Sequence, residues 1–303
     1  MKPIVLSFPD DAGLAGSVSR ELQARLGSLE WRHFPDGESL LRIEETLAGA
    51  DVVVFASLDG ADRKALPLRF VADTARELGA RSVGLAAPYL AYMRQDARFR
   101  PGEAIAARVF ARFLEQSVDW LVTVDPHLHR IAALEDLYRI PVACVESAPE
   151  LAEWIRREVR DPVLIGPDEE SAQWVADIAG AARIPYQVLH KQRRGDRQVE
   201  VSAPDPERLR DATPVLVDDI VSTGRTLIAA AEHLRRLGLP PPVCVVIHPL
   251  FSDNAHELLK RAGVERIVST DSIRHPSNGI GLARPIARAV AGQLARIERG
   301  TEP

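Results

Sequence analysis

The sequence predicts an α/β protein of two tandem domains, each built on a mainly parallel sheet. Three observations carry this. Short apolar runs recur along the chain, helical patterns lie between them, and the runs are continuous where half-exposed strands would alternate. Continuous apolar runs mark parallel strands buried on both faces. A length of 303 residues suits two domains at roughly 150 residues each.

In chain order the predicted strands are Ile4–Ser7, Val52–Ala56, Ser82–Ala87, Trp120–Val124, Pro141–Val145, Val163–Gly166, Val215–Asp218, Val243–Ile247 and Arg266–Ser269. Leu68, Val71, Ala75 and Leu78 follow the helical period, and Gly79 closes that turn. Leu227, Ala230, Leu234 and Leu237 do the same ahead of Gly238. The boundary falls near residues 145–150, giving an N-terminal domain over 1–147 and a C-terminal domain over 148–303. There is no repeat of solenoid period and no low-complexity tract.

Hydrophobic residues make up 46% and charged ones 27%, which excludes a disordered chain. A net charge of -5 gives no global pull toward nucleic acid or an anionic membrane. Two cysteines, Cys144 and Cys244, exclude a disulfide scaffold, and both read as small core residues. The N-terminus meets a proline and two aspartates too soon for a signal peptide. No apolar run approaches the roughly 20 residues of a membrane span. The expectation is a soluble, cytoplasmic protein.

The sharpest motif is Pro214–Leu227, PVLVDDIVSTGRTL. An apolar strand ends in two carboxylates, Asp218 and Asp219. A short loop, Ser222-Thr223-Gly224-Arg225-Thr226, then opens a helix. Open α/β sheets bind ligands beyond the carboxyl ends of their strands. N–H groups at a helix start, beside Ser and Thr hydroxyls, suit a phosphate. Gly224 lets the backbone approach an anion closely. The carboxylates suit sugar hydroxyls or a cation. A lone Asp219 or Ser222 would read as a helix cap; the whole string is far more specific.

That string resembles the phosphoribosyl diphosphate binding motif of type I phosphoribosyltransferases and ribose-phosphate diphosphokinases. The resemblance implies a type I phosphoribosyltransferase-like fold. It implies that Asp218 and Asp219 hold ribose hydroxyls, and that Ser222, Thr223, Gly224, Arg225 and Thr226 grip the 5-phosphate.

Four more segments bear on the choice between those relatives. Phe34–Glu38, FPDGE, reads from its residues as a polar turn after a short strand. It is similar to the diphosphokinase segment that reaches adenine, commonly from a neighbouring subunit. Phe34 would stack, and Asp36 and Glu38 would accept from the exocyclic amine. Pro88–Ile105 clusters Arg94, Arg98 and Arg100 around Gln95 and Asp96, either a solvated loop or a polyphosphate grip. It resembles the family's ATP segment, to which Arg94, Gln95 and Asp96 carry over, and its RPGEAI ending resembles the short archaeal-type members. Val124–Arg130, VDPHLHR, matches a family D-x-H that contacts an ATP-bound magnesium. His127 is the better candidate there for metal or phosphate; read alone, it is a histidine at a strand end. Leu164–Ser171, LIGPDEES, places Asp168 in the family's pyrophosphate-side segment, as a metal contact. Glu169 and Glu170 depart from the small residues usual after that aspartate.

Lys191-Gln192-Arg193, in the charged stretch Lys191–Arg197, resembles the catalytic K-x-R carried on a flexible loop. Read alone, it is an exposed basic loop. His248–Ser252 and Ser269–Ile273 resemble segments after the last family strands, so the resemblance runs from Phe34 to about Ile273. It implies an Mg2+-dependent diphosphokinase, with ATP on the N-terminal domain and ribose 5-phosphate on the C-terminal one. It also implies a homo-oligomer with its site near a subunit interface. Two alternatives are a catalytically silent, diphosphokinase-like regulatory subunit and a phosphoribosyltransferase acting on a base.

Overall fold

The computed structural model describes residues 2–189, 191–194, 198–201, 209 and 212–300, with 191–194 and 198–201 described as backbone. The chain divides into two compact units. The first comprises Met1–Glu146, Ser272–Arg274 and Leu282–Pro303; the second comprises Ser147–Asp271 and His275–Gly281. The sequence reading ran the second domain to residue 303, whereas the last helix groups with the first unit.

The first unit opens with β1 (Ile4–Ser7), α1 (Ala12–Glu21) and β2 (Arg25–Leu26). A hairpin follows, β3 (Leu29–His33) against β4 (Ser39–Ile43). Then come β5 (Asp51–Phe55), α2 (Ala61–Glu77), β6 (Ser82–Ala87), α3 (Ala106–Glu115), β7 (Trp120–Val124) and β8 (Val142–Val145). Six strands form one sheet in the order β2-β1-β5-β6-β7-β8, with every pairing parallel. β5, β6 and β7 are buried at every position, hence their unbroken apolar runs.

α2 starts well before the predicted Leu68 and runs through Pro67. That proline forgoes one helical hydrogen bond but is buried with Leu68, Val71 and Ala75. The helix closes as expected at Gly79, whose φ of 88° lies in the left-handed region.

The second unit holds α4 (Ala148–Glu158), β9 (Pro162–Gly166), α5 (Ala172–Ala182), β10 (Tyr186–Val188) and a hairpin of β11 (Lys191–Arg194) and β12 (Gln198–Val201). It continues with β13 (Thr213–Val221), α6 (Arg225–Arg236), β14 (Val243–Pro249), α7 (Ala255–Arg261), β15 (Arg266–Thr270) and β16 (Asn278–Ile280). The sheet order is β10-β9-β13-β14-β15-β16, again with every pairing parallel. α8 (Ala283–Gly300) packs on α1, β7 and β8 of the first unit.

Both units follow one path. The second strand lies outside the first, an antiparallel hairpin follows, and four strands then build on the other side. β3–β4 and β11–β12 therefore hold the same place in the two orders. The strand order reverses between β1 and β5 and between β9 and β13, the switch points where open α/β sheets take ligands.

Cys244 is buried as expected, but Cys144 is exposed. It sits on β8, an edge strand of the first sheet, where one side lacks a covering neighbour. Among the described residues no helix is long and apolar enough to cross a membrane.

Candidate active site

β13 does not stop at Asp218. It runs to Val221, because Ile220 and Val221 are buried and pair with His248 and Pro249 of β14. Adjacent residues of a strand face opposite sides, and the two carboxylates are unequal: Asp218 is half-buried and Asp219 buried. One oxygen of Asp218 accepts the Asp219 N–H at 3.1 Å, and one of Asp219 accepts the Ile220 N–H at 2.7 Å.

Gly224 caps α6 with φ 67°, a left-handed conformation that favours glycine. Arg225 and Thr226 therefore fall in the first helical turn, not in the loop. A glycine cap brings no side-chain acceptor to first-turn N–H groups, which by helix geometry lack intrahelical partners. Ser222, Thr223 and Thr226 are half-buried around that helix start, and Arg225 is exposed. Hydroxyls, helix-start N–H dipoles and a guanidinium there are the groups that suit a phosphate.

Asp168 follows β9, the parallel neighbour of β13, so it shares that sheet's switch point with the 222–226 loop. It caps the short turn Glu169–Ser171: its Oδ1 accepts the Ser171 N–H at 3.3 Å, while Ser171 Oγ donates to the Asp168 carbonyl at 2.6 Å. Glu169 and Glu170 are exposed in that first turn, where the backbone dipole favours acidic residues.

Lys191 and Arg193 stand on β11, opposite Val201 and Val199 of β12. The stretch expected as a loop is thus, over Lys191–Arg194, one strand of a hairpin. Residues 195–197 of that stretch lie outside the described residues.

In the first unit, the Arg94–Asp96 segment follows β6 and the His127 segment follows β7, adjacent parallel strands. Arg94 and Gln95 are exposed, and Asp96 is buried. Asp96 accepts the backbone N–H of Arg130 at 3.2 Å and its guanidinium at 2.9 Å, tying the two segments together. Glu103 closes the loop between Arg98 and Arg100: its carboxylate accepts the N–H groups of Phe99 and Arg100 at 3.0 and 2.9 Å. Arg98 Nε donates back to the Glu103 carbonyl at 2.8 Å. His127 is half-buried and His129 exposed, with ring centroids 6.2 Å apart.

FPDGE forms the tip of the β3–β4 hairpin. Phe34 N–H donates to Glu38 O at 2.8 Å, and Asp36 accepts the Glu38 N–H at 3.1 Å. Phe34 is 41% exposed, with the Arg32 guanidinium 5.0 Å over its ring. Asp36 and Glu38 are exposed beside it. Trp31 packs edge-on against buried Phe8 at 4.9 Å and roots the hairpin.

The sequence reading missed Glu103, Arg130 and a polar cluster at the first unit's switch point. There β5 leads through Ser57, Asp59 and Gly60 (φ 65°) into α2, the counterpart of β13, Gly224 and α6. Lys64, 1% exposed, donates to the Ser57 carbonyl and to Asp59, both at 2.6 Å, and lies 3.7 Å from Asp11. Asp11 accepts the Ser57 N–H at 3.1 Å. Burial pushes the Asp11 carboxyl up to about 7, against the pull of Lys64. An internal cation thus sits where the second unit presents hydroxyls and an arginine.

The family model for the N-terminal domain of ribose phosphate pyrophosphokinase matches residues 4–117, and the phosphoribosyl transferase domain model matches residues 137–286. A ribose-phosphate pyrophosphokinase of Methanopyrus kandleri is 36% identical over 95% of this chain and 98% of its own. One from Methanothermobacter thermautotrophicus is 34% identical over 90% and 95%. The crystal structure of phosphoribosylpyrophosphate synthetase from Mycobacterium smegmatis shares the fold, with a TM-score of 0.85 over 98% of this chain and 100% of that one, at 23% identity. Two domain models in tandem and relatives matched nearly end to end lead to one conclusion: the chain belongs to the ribose-phosphate pyrophosphokinase family of enzymes.

Proposed function

We propose that the chain transfers the diphosphoryl group of ATP to the anomeric hydroxyl of ribose 5-phosphate, giving 5-phosphoribosyl 1-diphosphate and AMP. The observation that supports this reading is the tandem of an N-terminal domain matched by the ribose phosphate pyrophosphokinase model with the run from Asp218 through the Gly224 cap to Thr226 at the second sheet's switch point. The anomeric oxygen attacks the β-phosphorus, the bond from that phosphorus to the α–β bridging oxygen breaks, and AMP leaves with that oxygen. The hydroxyl proton passes to solvent or to the departing phosphate.

Asp218 and Asp219 orient the ribose hydroxyls, and Ser222 to Thr226 hold the 5-phosphate, so positioning lowers part of the barrier. Arg94, Gln95 and His127 hold the ATP polyphosphate, with Asp96 fixing their two segments through Arg130. Phe34, Asp36 and Glu38 receive adenine, on this reading from a neighbouring copy in a homo-oligomer. Lys191 and Arg193 meet negative charge that develops on the β-phosphoryl oxygens, which lowers the transition state more than the ground state.

Magnesium, brought with ATP, lowers the charge on the phosphates. It prefers oxygen donors and keeps several waters. Asp168, a half-buried carboxylate after β9, is an oxygen donor of the kind such an ion prefers. The His127 nitrogen suits a phosphate oxygen better than a hard cation.

The test is incubation with ATP, magnesium and ribose 5-phosphate. AMP and the sugar 1-diphosphate form in equal amounts on this reading. No AMP from these substrates, with nucleotide and diphosphate formed when a purine or pyrimidine base is supplied with 5-phosphoribosyl 1-diphosphate, would replace it with base transfer.

A further inference from the structure

The loop after β14 meets the phosphate loop residue by residue. Phe251 N–H donates to the Val221 carbonyl at 2.8 Å. The hydroxyls of Ser252 and Ser222 lie 2.8 Å apart. A Cβ placed on Gly224 would rest 3.4 Å from the Cβ of Ala255. These three contacts advance together along both segments, so the 251–255 stretch backs the whole turn that opens α6.

That stretch is held in a disfavoured shape. Phe251, Asp253 and Asn254 have φ of 41°, 54° and 60°, a region that L side chains avoid. Such conformations persist where the surroundings over-determine them. Here the Phe251 ring lies 4.6 Å from the His275 ring and 5.4 Å from His256. His275 is fixed in turn: its N–H donates to Asn278 Oδ1 at 2.8 Å, and its Nδ1 accepts the Ser277 N–H at 3.1 Å. The loop is thus braced from behind and presents one hydroxyl forward, to Ser222.

We infer that Ser252 is a positioning residue for sugar phosphate: it orients the Ser222 hydroxyl, which would meet the 5-phosphate. The inference rests on the proposed function and names a residue outside the phosphate loop that sets its affinity. Left unpaired, the Ser222 hydroxyl samples its rotamers, and part of its bond to phosphate is spent on ordering it.

The experiment is calorimetric titration of ribose 5-phosphate, with ATP titrated separately, into wild type, Ser252→Ala, Ser252→Thr, Ser222→Ala and the Ser222→Ala, Ser252→Ala double variant. Ser252→Ala weakens ribose 5-phosphate by about three- to tenfold, the worth of one neutral hydrogen bond, and leaves ATP unchanged. Ser252→Thr, which keeps the hydroxyl, binds as wild type does. The double variant binds no more weakly than Ser222→Ala alone, because Ser252 acts through Ser222. Equal affinities in wild type and Ser252→Ala, or strictly additive losses in the double variant, overturn the inference while the proposed reaction stands. A wild-type protein that takes no ribose 5-phosphate overturns the proposed function and this inference with it.

Discussion

The buried carboxylate of Asp96 accepts both the backbone N–H and the guanidinium of Arg130, 34 residues away in sequence, and so ties the loop after β6 to the loop after β7. Arg94, Gln95 and His127 lie on those loops. Asp96→Asn keeps the shape but loses the charge. It should cost about 1–3 kcal/mol of stability, the range for a compromised buried hydrogen bond to a charge. It should also raise the KM for ATP while leaving that for ribose 5-phosphate near wild type. Steady-state kinetics in each substrate and a denaturant melt check this; a stability loss with an unchanged ATP KM would leave Asp96 a purely structural residue.

Lys191→Ala and Arg193→Ala should lower kcat and leave ribose 5-phosphate binding nearly intact. Both residues stand on β11, at positions two apart on one hairpin strand. Losing one transition-state charge contact costs on the order of 100-fold or more in turnover. Wild-type turnover in both variants rules out the assignment.

Asp219→Asn and Thr226→Ala should weaken ribose 5-phosphate and spare ATP. Asp219 is buried near the end of β13, and Thr226 is in the first turn of α6. Separate calorimetric titrations decide it. Reduced ATP affinity with intact sugar phosphate affinity would mean the two sites are reversed.

Phe34, exposed at a hairpin tip beside Asp36 and Glu38, should serve the site of a neighbouring copy. Stacking on one aromatic contributes roughly 1–3 kcal/mol, judged from bases in nucleic-acid binding. Phe34→Ala and Lys191→Ala chains should each be nearly inactive alone, yet regain activity when mixed. The Phe34→Ala, Lys191→Ala double variant mixed with wild type is the control. Proven mixed oligomers without recovery would put adenine and Lys191 on one chain.

Asp11 links stability to pH. Its carboxyl is raised from an ordinary 3.8 to about 7 in the folded chain by burial. The folded state therefore holds a proton that the unfolded state has released. This contribution is complete below about pH 4, shrinks as pH rises, and is gone above about pH 7. Asp11→Asn keeps an acceptor for the Ser57 N–H without the titration. Urea midpoints at pH 5 and pH 8 should fall less in the variant than in wild type. Equal falls would show that Asp11 titrates at its ordinary value.

The sheets were legible because β5, β6, β7 and β14 are buried on both faces and read as unbroken apolar runs. The phosphate loop was legible because strand end, cap and helix start lie within one short string. What escaped had other causes. The start of α2 was hidden by Pro67, which reads as a break though the helix runs through it. The turn of the β3–β4 hairpin was read from Pro35-Asp36-Gly37, but its two strands were not, because both are short and mostly half-exposed or exposed and carry no unbroken apolar run. The tie between Asp96 and Arg130 left no local trace, because the partners are distant in sequence. α8 is amphipathic, and its pattern gives a buried face without naming the unit it covers.

The most direct test uses ATP carrying radioactive phosphorus at the β position, with magnesium and ribose 5-phosphate. Diphosphoryl transfer predicts that the label moves to the sugar 1-diphosphate, with one unlabelled AMP released for each label transferred. Label retained in ADP, with only the terminal phosphate on the sugar, would contradict the account.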